Sequence, residues 1–288
     1  MKLKGVIFLI IASIAYSGFL IFNKLALNGG FDAFQYSLMM ITILVIFSIP
    51  FFWKDRKKFK KMSKKEWLYV GLVGVIAAGI VQFMFVFGQK YTNATNAGFI
   101  STLSAPFTAI FAMFMIKERL NAKKWFLGLI GFIGIIVLST NLQFGSLSIG
   151  DLLIISAMVL IAFSNVLAKM AMTHLSGLFV NALRNLFGYL FVAGAALFMG
   201  RFYQLSGIAP ILWLYLLLSA ILTFTFLAFF YWGMEHTSPT IASVIILSMA
   251  IFTAIFAIIF LGESLSIVQW IGGLIGMVAI GWFALTKN

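Results

Sequence analysis

Arg184 is the residue whose type and place in the chain most demand a chemical role, because it stands about two turns into an apolar stretch with Asn181 and Asn185 beside it. A cation at such depth costs roughly 2.5–3.5 kcal/mol on insertion scales, so something must compensate it. Either it faces a cavity or internal network and meets a carboxylate of a solute there, or its long side chain snorkels to the headgroups. Tyr16, Asn23, Gln82, Asn96, Ser101, Ser104, Ser164, Asn165, Tyr231 and Ser248 are further polar groups within apolar runs and candidates for contact with the same solute. Each serine is equally able to bond its own helix backbone. Phe85, Phe230, Tyr231 and Trp232 could add an aromatic surface.

Other chemistries lack material. There is no cysteine, and the two histidines, His174 and His236, lie in separate segments without clustered acids, so metal and triad sites are not expected and no cofactor is. All seven acids fall between apolar runs or at their ends, leaving no midplane carboxylate of the kind expected in a proton-driven pump. No GxxxxGK[ST] loop occurs, which argues against an ATPase.

A chain that is 63% hydrophobic and 9% charged over 288 residues cannot be hidden in one water-soluble core. Apolar stretches at 5–27, 33–53, 67–89, 94–116, 123–141, 150–170, 176–199, 210–232, 239–261 and 266–285 each approach the ~20 residues a bilayer requires. The first begins like a signal peptide but runs on to Leu27 and is read as an uncleaved span. An all-α integral membrane fold of ten helices follows. Of the twenty cations behind the net charge of +13, eight lie between Lys54 and Lys65. Flanked by spans, that basic loop points to topology and anionic lipid rather than nucleic acid.

Residues 115–131, MIKERLNAKKWFLGLIG, return at 260–276 as FLGESLSIVQWIGGLIG. In the same register, an offset of 145, Gly5 meets Gly150, Lys24 meets Lys169, Gly88 meets Gly233, and FTAIFA at 107–112 recurs at 252–257. The chain therefore reads as two repeats, 1–144 and 145–288, of five helices each. An odd number inverts the second copy in the membrane. Inversion explains the cations: the loop at 54–65 carries eight and its copy at 199–209 only Arg201, while 117–124 carries four and 262–269 none. Both termini are expected in the cytoplasm and the chain in the cytoplasmic membrane.

The copies differ where Pro106 becomes Ile251, from which a kink is expected in the fourth helix alone, for a gate or for packing. Lys24 and Lys169, at equivalent helix ends on opposite faces, are either a pair of gate residues or interfacial anchors. Glu118 and Glu263 precede Asn121 and Ser266, two expected helix caps, and are read as turn residues. Gly128, Gly131, Gly134, Gly272 and Gly276 suit close helix packing within one chain, and a monomer is expected.

Gly88, Thr92 and Thr95, then a helix with Pro106, then KERLNAKKWFLGLIGFIGI, resemble the EamA-type domain of the drug/metabolite transporter superfamily. The second copy resembles it equally, from Gly233 through TSPTIASVIILSMAIFTAIFAIIFLGESLSIVQWIGGLIG, so the likeness covers all ten spans. It implies a carrier of amino acids or other small metabolites, frequently outward, with helices one, three, four, six and nine walling a central cavity. The central acid that small multidrug resistance relatives have in their first helix is missing here. The expected function is secondary transport of a small polar metabolite by alternating access, as export of amino acids or derivatives. The alternatives are uptake of a small amine, choline-like or nucleobase-like solute, and multidrug export. Single cysteines placed at Lys58 and Gln204 are expected to be labelled from opposite sides of the membrane; labelling from one side would refute the inversion.

Overall fold

In hydrocarbon every backbone polar group must find a partner inside the protein, and helices are the way apolar runs of this length achieve it. The computed structural model describes residues 3–92, 94–140, 142, 148–200, 208–261 and 264–286. The first repeat forms α1 (Leu3–Asn28), α2 (Ala33–Phe59), α3 (Lys64–Lys90), α4 (Ala94–Ser101 and Ser104–Met115) and α5 (Ala122–Thr140). The second forms α6 (Ile149–Ala171), α7 (Gly177–Phe198), α8 (Pro210–His236), α9 (Pro239–Ile246 and Ser248–Leu261) and α10 (Ile267–Leu285). Nine of these spans are long and apolar enough to cross a bilayer among the described residues, and α5, lying along α10, is the tenth.

The ends follow local signals. Asp32 accepts from the Phe34 and Gln35 amides at the start of α2, and Ser63 with Glu66, Ser148 with Asp151, and Ser266 with Gln269 form capping boxes on α3, α6 and α10. Asn121 accepts from the Lys124 amide at the start of α5. The basic segment at 54–65 differs from the expected loop: α2 continues to Phe59 and α3 starts at Lys64, so most of the run is helical. Lysine and arginine are good helix formers, and Arg56, Lys57 and Lys58 occupy the last turn of α2, where cations suit the helix dipole.

Packing obeys the sequence repeat. α1 lies along α8 as α6 lies along α3, and α1 meets α9 as α6 meets α4, while α2–α7, α4–α9 and α5–α10 pair across the halves. Exchanging the halves maps this set of pairs onto itself, and five helices per half make the exchange an inversion across the membrane. Matched glycines let the pairs close: a Cβ on Gly150 would sit 2.5 Å from the Gly88 oxygen, and one on Gly5 3.4 Å from the Gly233 oxygen. Between α5 and α10, a Cβ on Gly134 would come within 2.5 Å of the Gly276 nitrogen.

α4 and α9 are both interrupted near their centres, at Thr102–Leu103 and at Leu247. This corrects the expectation of one kink. In α4 the Pro106 ring crowds the carbonyl four residues back, that of Thr102. In α9, with Ile251 in the matching place, Ser248 Oγ donates to the Ile245 carbonyl (2.8 Å) across the break and Ser17 Oγ of α1 to that of Met249 just beyond it (2.8 Å). The tightened backbone bonds match, Thr102 to Phe99 and Leu247 to Val244. In α3, Gly74–Ile80 is a π-helical stretch packed on α7. Gly134→Val is expected to destabilise the protein by about 1–3 kcal/mol through overpacking. Gly194→Val, at a position with nothing within 4 Å, is the control for thermal unfolding in detergent.

Candidate functional site

Between the halves lies a cavity of ≈ 100 Å³. Its polar lining comes from Tyr16 on α1, Gln82 on α3, Ser101 and Ser104 at the break of α4, Asn165 on α6 and Arg184 on α7. Thr223 and Tyr231 on α8 and Ser243 on α9 complete it. The remaining wall sets Phe19, Phe85, Phe226 and Phe230 among aliphatic and methionine side chains: the Tyr16 ring meets Phe226 edge-on with centroids 4.7 Å apart, and Phe19 stacks on Phe85 at 6.0 Å. The Tyr16 hydroxyl and Ser101 Oγ share a hydrogen bond of 3.0 Å, joining α1 to α4 at its break.

Arg184 is 5% exposed and does not snorkel. Its Nη1 donates to Asn185 Oδ1 (2.8 Å) and its Nη2 to the Ala77 carbonyl (3.1 Å), which belongs to the π-helical stretch of α3. Asn185 Nδ2 donates in turn to Ser48 Oγ on α2 (3.0 Å), fixing the acceptor that holds the guanidinium. Among the described residues no carboxylate forms an ion pair with Arg184. Its Nε, together with Gln82 Nε2, Thr223 Oγ1 and Ser243 Oγ, is buried without a hydrogen-bond partner. Leaving such a group unmade costs about 1–3 kcal/mol each. Four of them around one cavity form a site whose polar needs a guest would meet, and the cationic donor favours an anionic group.

Seven of the eleven residues named from the sequence as solute contacts therefore line one cavity: Tyr16, Gln82, Ser101, Ser104, Asn165, Arg184 and Tyr231. Asn23 does not; its amide is bound to the Gln89 side chain where α1 crosses α3. Ser164 is buried outside the lining, and Ser248 serves the α9 break and Ser13. The Asn96 side chain lies outside the described residues. Pro106 borders a different cavity. Thr223, Ser243 and the Ala77 carbonyl were not foreseen, since a lone Thr or Ser in an apolar span carries no mark of the face it occupies.

Lys24 and Lys169 do not line the cavity. Lys24 Nζ donates to the Gln89 carbonyl (2.8 Å) and the Thr92 carbonyl, beyond the end of α3. Lys169 Nζ donates to the Met234 and Thr237 carbonyls (both 2.7 Å), the same positions one repeat later at the end of α8. Each lysine satisfies carbonyls that a helix C-terminus leaves open. The acids do the converse. Glu118, read as a turn residue, accepts from Ser238 Oγ and Thr240 Oγ1 at the start of α9, and Glu235 accepts from the Gly177 amide (2.7 Å) at the start of α7. Asp151 also binds Thr92 Oγ1 (2.7 Å), and Asp55 binds Ser176, the cap of α7 (2.8 Å). Glu263 lies outside the described residues.

Ten spans with an inverted repeat around a central polar cavity define a membrane transporter. The EamA-like transporter family matches residues 3–140 and again 148–285, and the chain belongs to that family. It is 28% identical over 283 residues to an uncharacterized transporter of Clostridium kluyveri, covering 93% of this chain and 89% of that one. It is 26% identical over 290 residues to an uncharacterized transporter of Archaeoglobus fulgidus, covering 97% of each. A solved crystal structure superposes with a TM-score of 0.70 over 96% of this chain and 98% of the other, at 16% identity, a likeness of fold. These relatives are transporters rather than enzymes. Lys24→Met is expected to lower stability in detergent by about 1–2 kcal/mol while leaving ligand affinity in the cavity unchanged. An unchanged unfolding temperature with altered affinity would instead make Lys24 a gate.

Proposed function

We propose that the protein is a secondary carrier of the cytoplasmic membrane that exports amino acids or derivatives of them by alternating access. The observation that carries this reading is Arg184, a buried guanidinium without a carboxylate partner among the described residues, set in a cavity whose apolar wall includes Phe19, Phe85 and Phe226. A solute with a carboxylate and an apolar body satisfies both: the carboxylate meets Arg184 and the Gln82 amide, and the body takes the place of water against Phe19, Phe85 and Phe226. The inverted repeat gives the solute two symmetry-related ways out, since either half can adopt the conformation of the other. We assign the cytoplasm to the face bearing the basic ends of α2, α3 and α5, which puts both termini there.

Thermal unfolding of the purified chain against amino acids, amines and nucleobases identifies the solute class, because a ligand of the native state stabilises it by mass action. Carboxylate-bearing solutes are expected to raise the unfolding temperature. Arg184→Met, the residue at the matching position of the first repeat, is expected to weaken them by about 10–100-fold, as loss of a charged hydrogen bond implies. Arg184→Lys should retain part of the affinity. Stabilisation by amines, with Arg184→Met neutral, would overturn the carboxylate reading. Uptake of the radiolabelled solute into inside-out vesicles tests the outward direction.

A further inference from the structure

A second cavity, of ≈ 250 Å³, lies apart from the central one, between the halves and towards the basic face. α4 contributes Pro106 and Ala109, α5 contributes Lys124 to Phe132, and α9 and α10 close it with Val244 and Phe283. Its wall is apolar apart from Lys124 and Thr240. On α5, Trp125, Phe126 and Leu129 line it while being 47%, 63% and 57% exposed, so the cavity reaches the outer, lipid-facing surface of the bundle. An apolar recess open sideways at the depth of one leaflet accommodates an acyl chain.

Charge selects which lipid. Lys124 is 1% exposed, with its Nζ 5.5 Å from the centre of the Phe283 ring, at the basic end of the cavity. Exposed Lys117, Arg119 and Lys123 stand around that end. Glu118, the acid among them, bonds Ser238 and Thr240 of α9 while its charge also acts on Lys124, so that end carries four cations and one acid. Lys117 holds a φ of 54°, a left-handed backbone where the second repeat has Gly262 in sequence, so a cation is kept at the position that favours glycine. In the second repeat the residues matching Lys117, Arg119, Lys123 and Lys124 are Gly262, Ser264, Val268 and Gln269, and Ile251 matches Pro106. The Gln269 side chain donates through Nε2 to the Leu138 carbonyl (3.0 Å), joining α10 to α5 at the position where the first repeat has Lys124. Two of these differences, at Lys124 and Pro106, lie in the wall of this one cavity. Orientation in the membrane asks for cations in the loop; it asks for no buried lysine beside an apolar recess.

We infer that this cavity is a binding site for an anionic phospholipid of the leaflet on the basic face, one acyl chain entering between α4, α5, α9 and α10 and the phosphate meeting Lys124, Lys123 and Arg119. The occupant bridges both halves, so its presence bears on how they move against each other, whatever solute the central cavity carries. An attraction of the size usual for one basic residue at an anionic surface makes about a fivefold preference per lysine.

Native mass spectrometry of the full chain, released from micelles containing equal dioleoyl phosphatidylglycerol and dioleoyl phosphatidylcholine, tests this. The wild type is expected to retain one phosphatidylglycerol in preference to phosphatidylcholine. Lys124→Gln, which installs the residue of the other repeat, should reduce that preference about fivefold. Gly128→Leu should abolish retention of both lipids, because its side chain enters the cavity; monodispersity and helical content show whether each variant has folded. Lys57→Gln with Lys58→Gln, in the other basic segment, should leave the preference as it is. Equal loss of preference in that control, or full retention in folded Gly128→Leu, would overturn the site.

Discussion

A chain dissolved in hydrocarbon can satisfy its backbone along a helix but not at a helix end, and the charged residues of this protein are placed to solve that problem. Among the described residues, Asp32, Asp55, Glu66, Glu118, Asp151 and Glu235 each bind an N-terminal amide or the residue that caps one. Lys24 and Lys169 bind carbonyls at C-terminal ends. Where the cap comes from another helix, as with Asp55, Glu118, Glu235, Lys24 and Lys169, the end of one span fixes the position of another: Glu118 ties the loop after α4 to α9, and Asp55 ties α2 to α7. The interior is thereby left with one charge, Arg184, among the described residues deep in the spans, and with Asn185 and Ser48 arranged to hold it.

The ten spans, their duplication and their inversion were legible because each rests on local signals, apolar length, matched residues at a constant offset and the sidedness of lysine and arginine. The site was legible in part. Arg184, Gln82 and Asn165 stood out because polar groups in apolar runs are costly. Thr223 and Ser243 did not, since a span apolar all round carries no stripe to tell which face meets the cavity and which meets lipid. Glu118 does lie in the turn expected of it, but its partners were hidden for a related reason. Its neighbours suggested a turn, and its partners, Ser238 and Thr240, are 120 and 122 residues away.

The two halves share geometry without sharing chemistry. The lysine caps, the closing glycines and the central helix breaks are repeated one for one. Arg184 replaces what is Met39 in the first repeat, and the π-helical stretch that supplies its carbonyl partner belongs to α3. The central cavity is therefore asymmetric at its most polar point even though the scaffold around it is nearly symmetric. A solute held there meets a different surface from each half.

The breaks in α4 and α9 are alike in place and unlike in origin. Proline keeps its constraint in every conformation of the chain, so α4 is interrupted near Thr102 whether the transporter is open to one side or to the other. The interruption of α9 has no proline behind it; there the Ser248 hydroxyl bonds the Ile245 carbonyl and that of Ser17 bonds the Met249 carbonyl. Ile251, in the place of Pro106, keeps its backbone N–H. One half thus carries a covalent constraint at its central break and the other does not, so two mirrored copies of one fold reach the same interruption by different means.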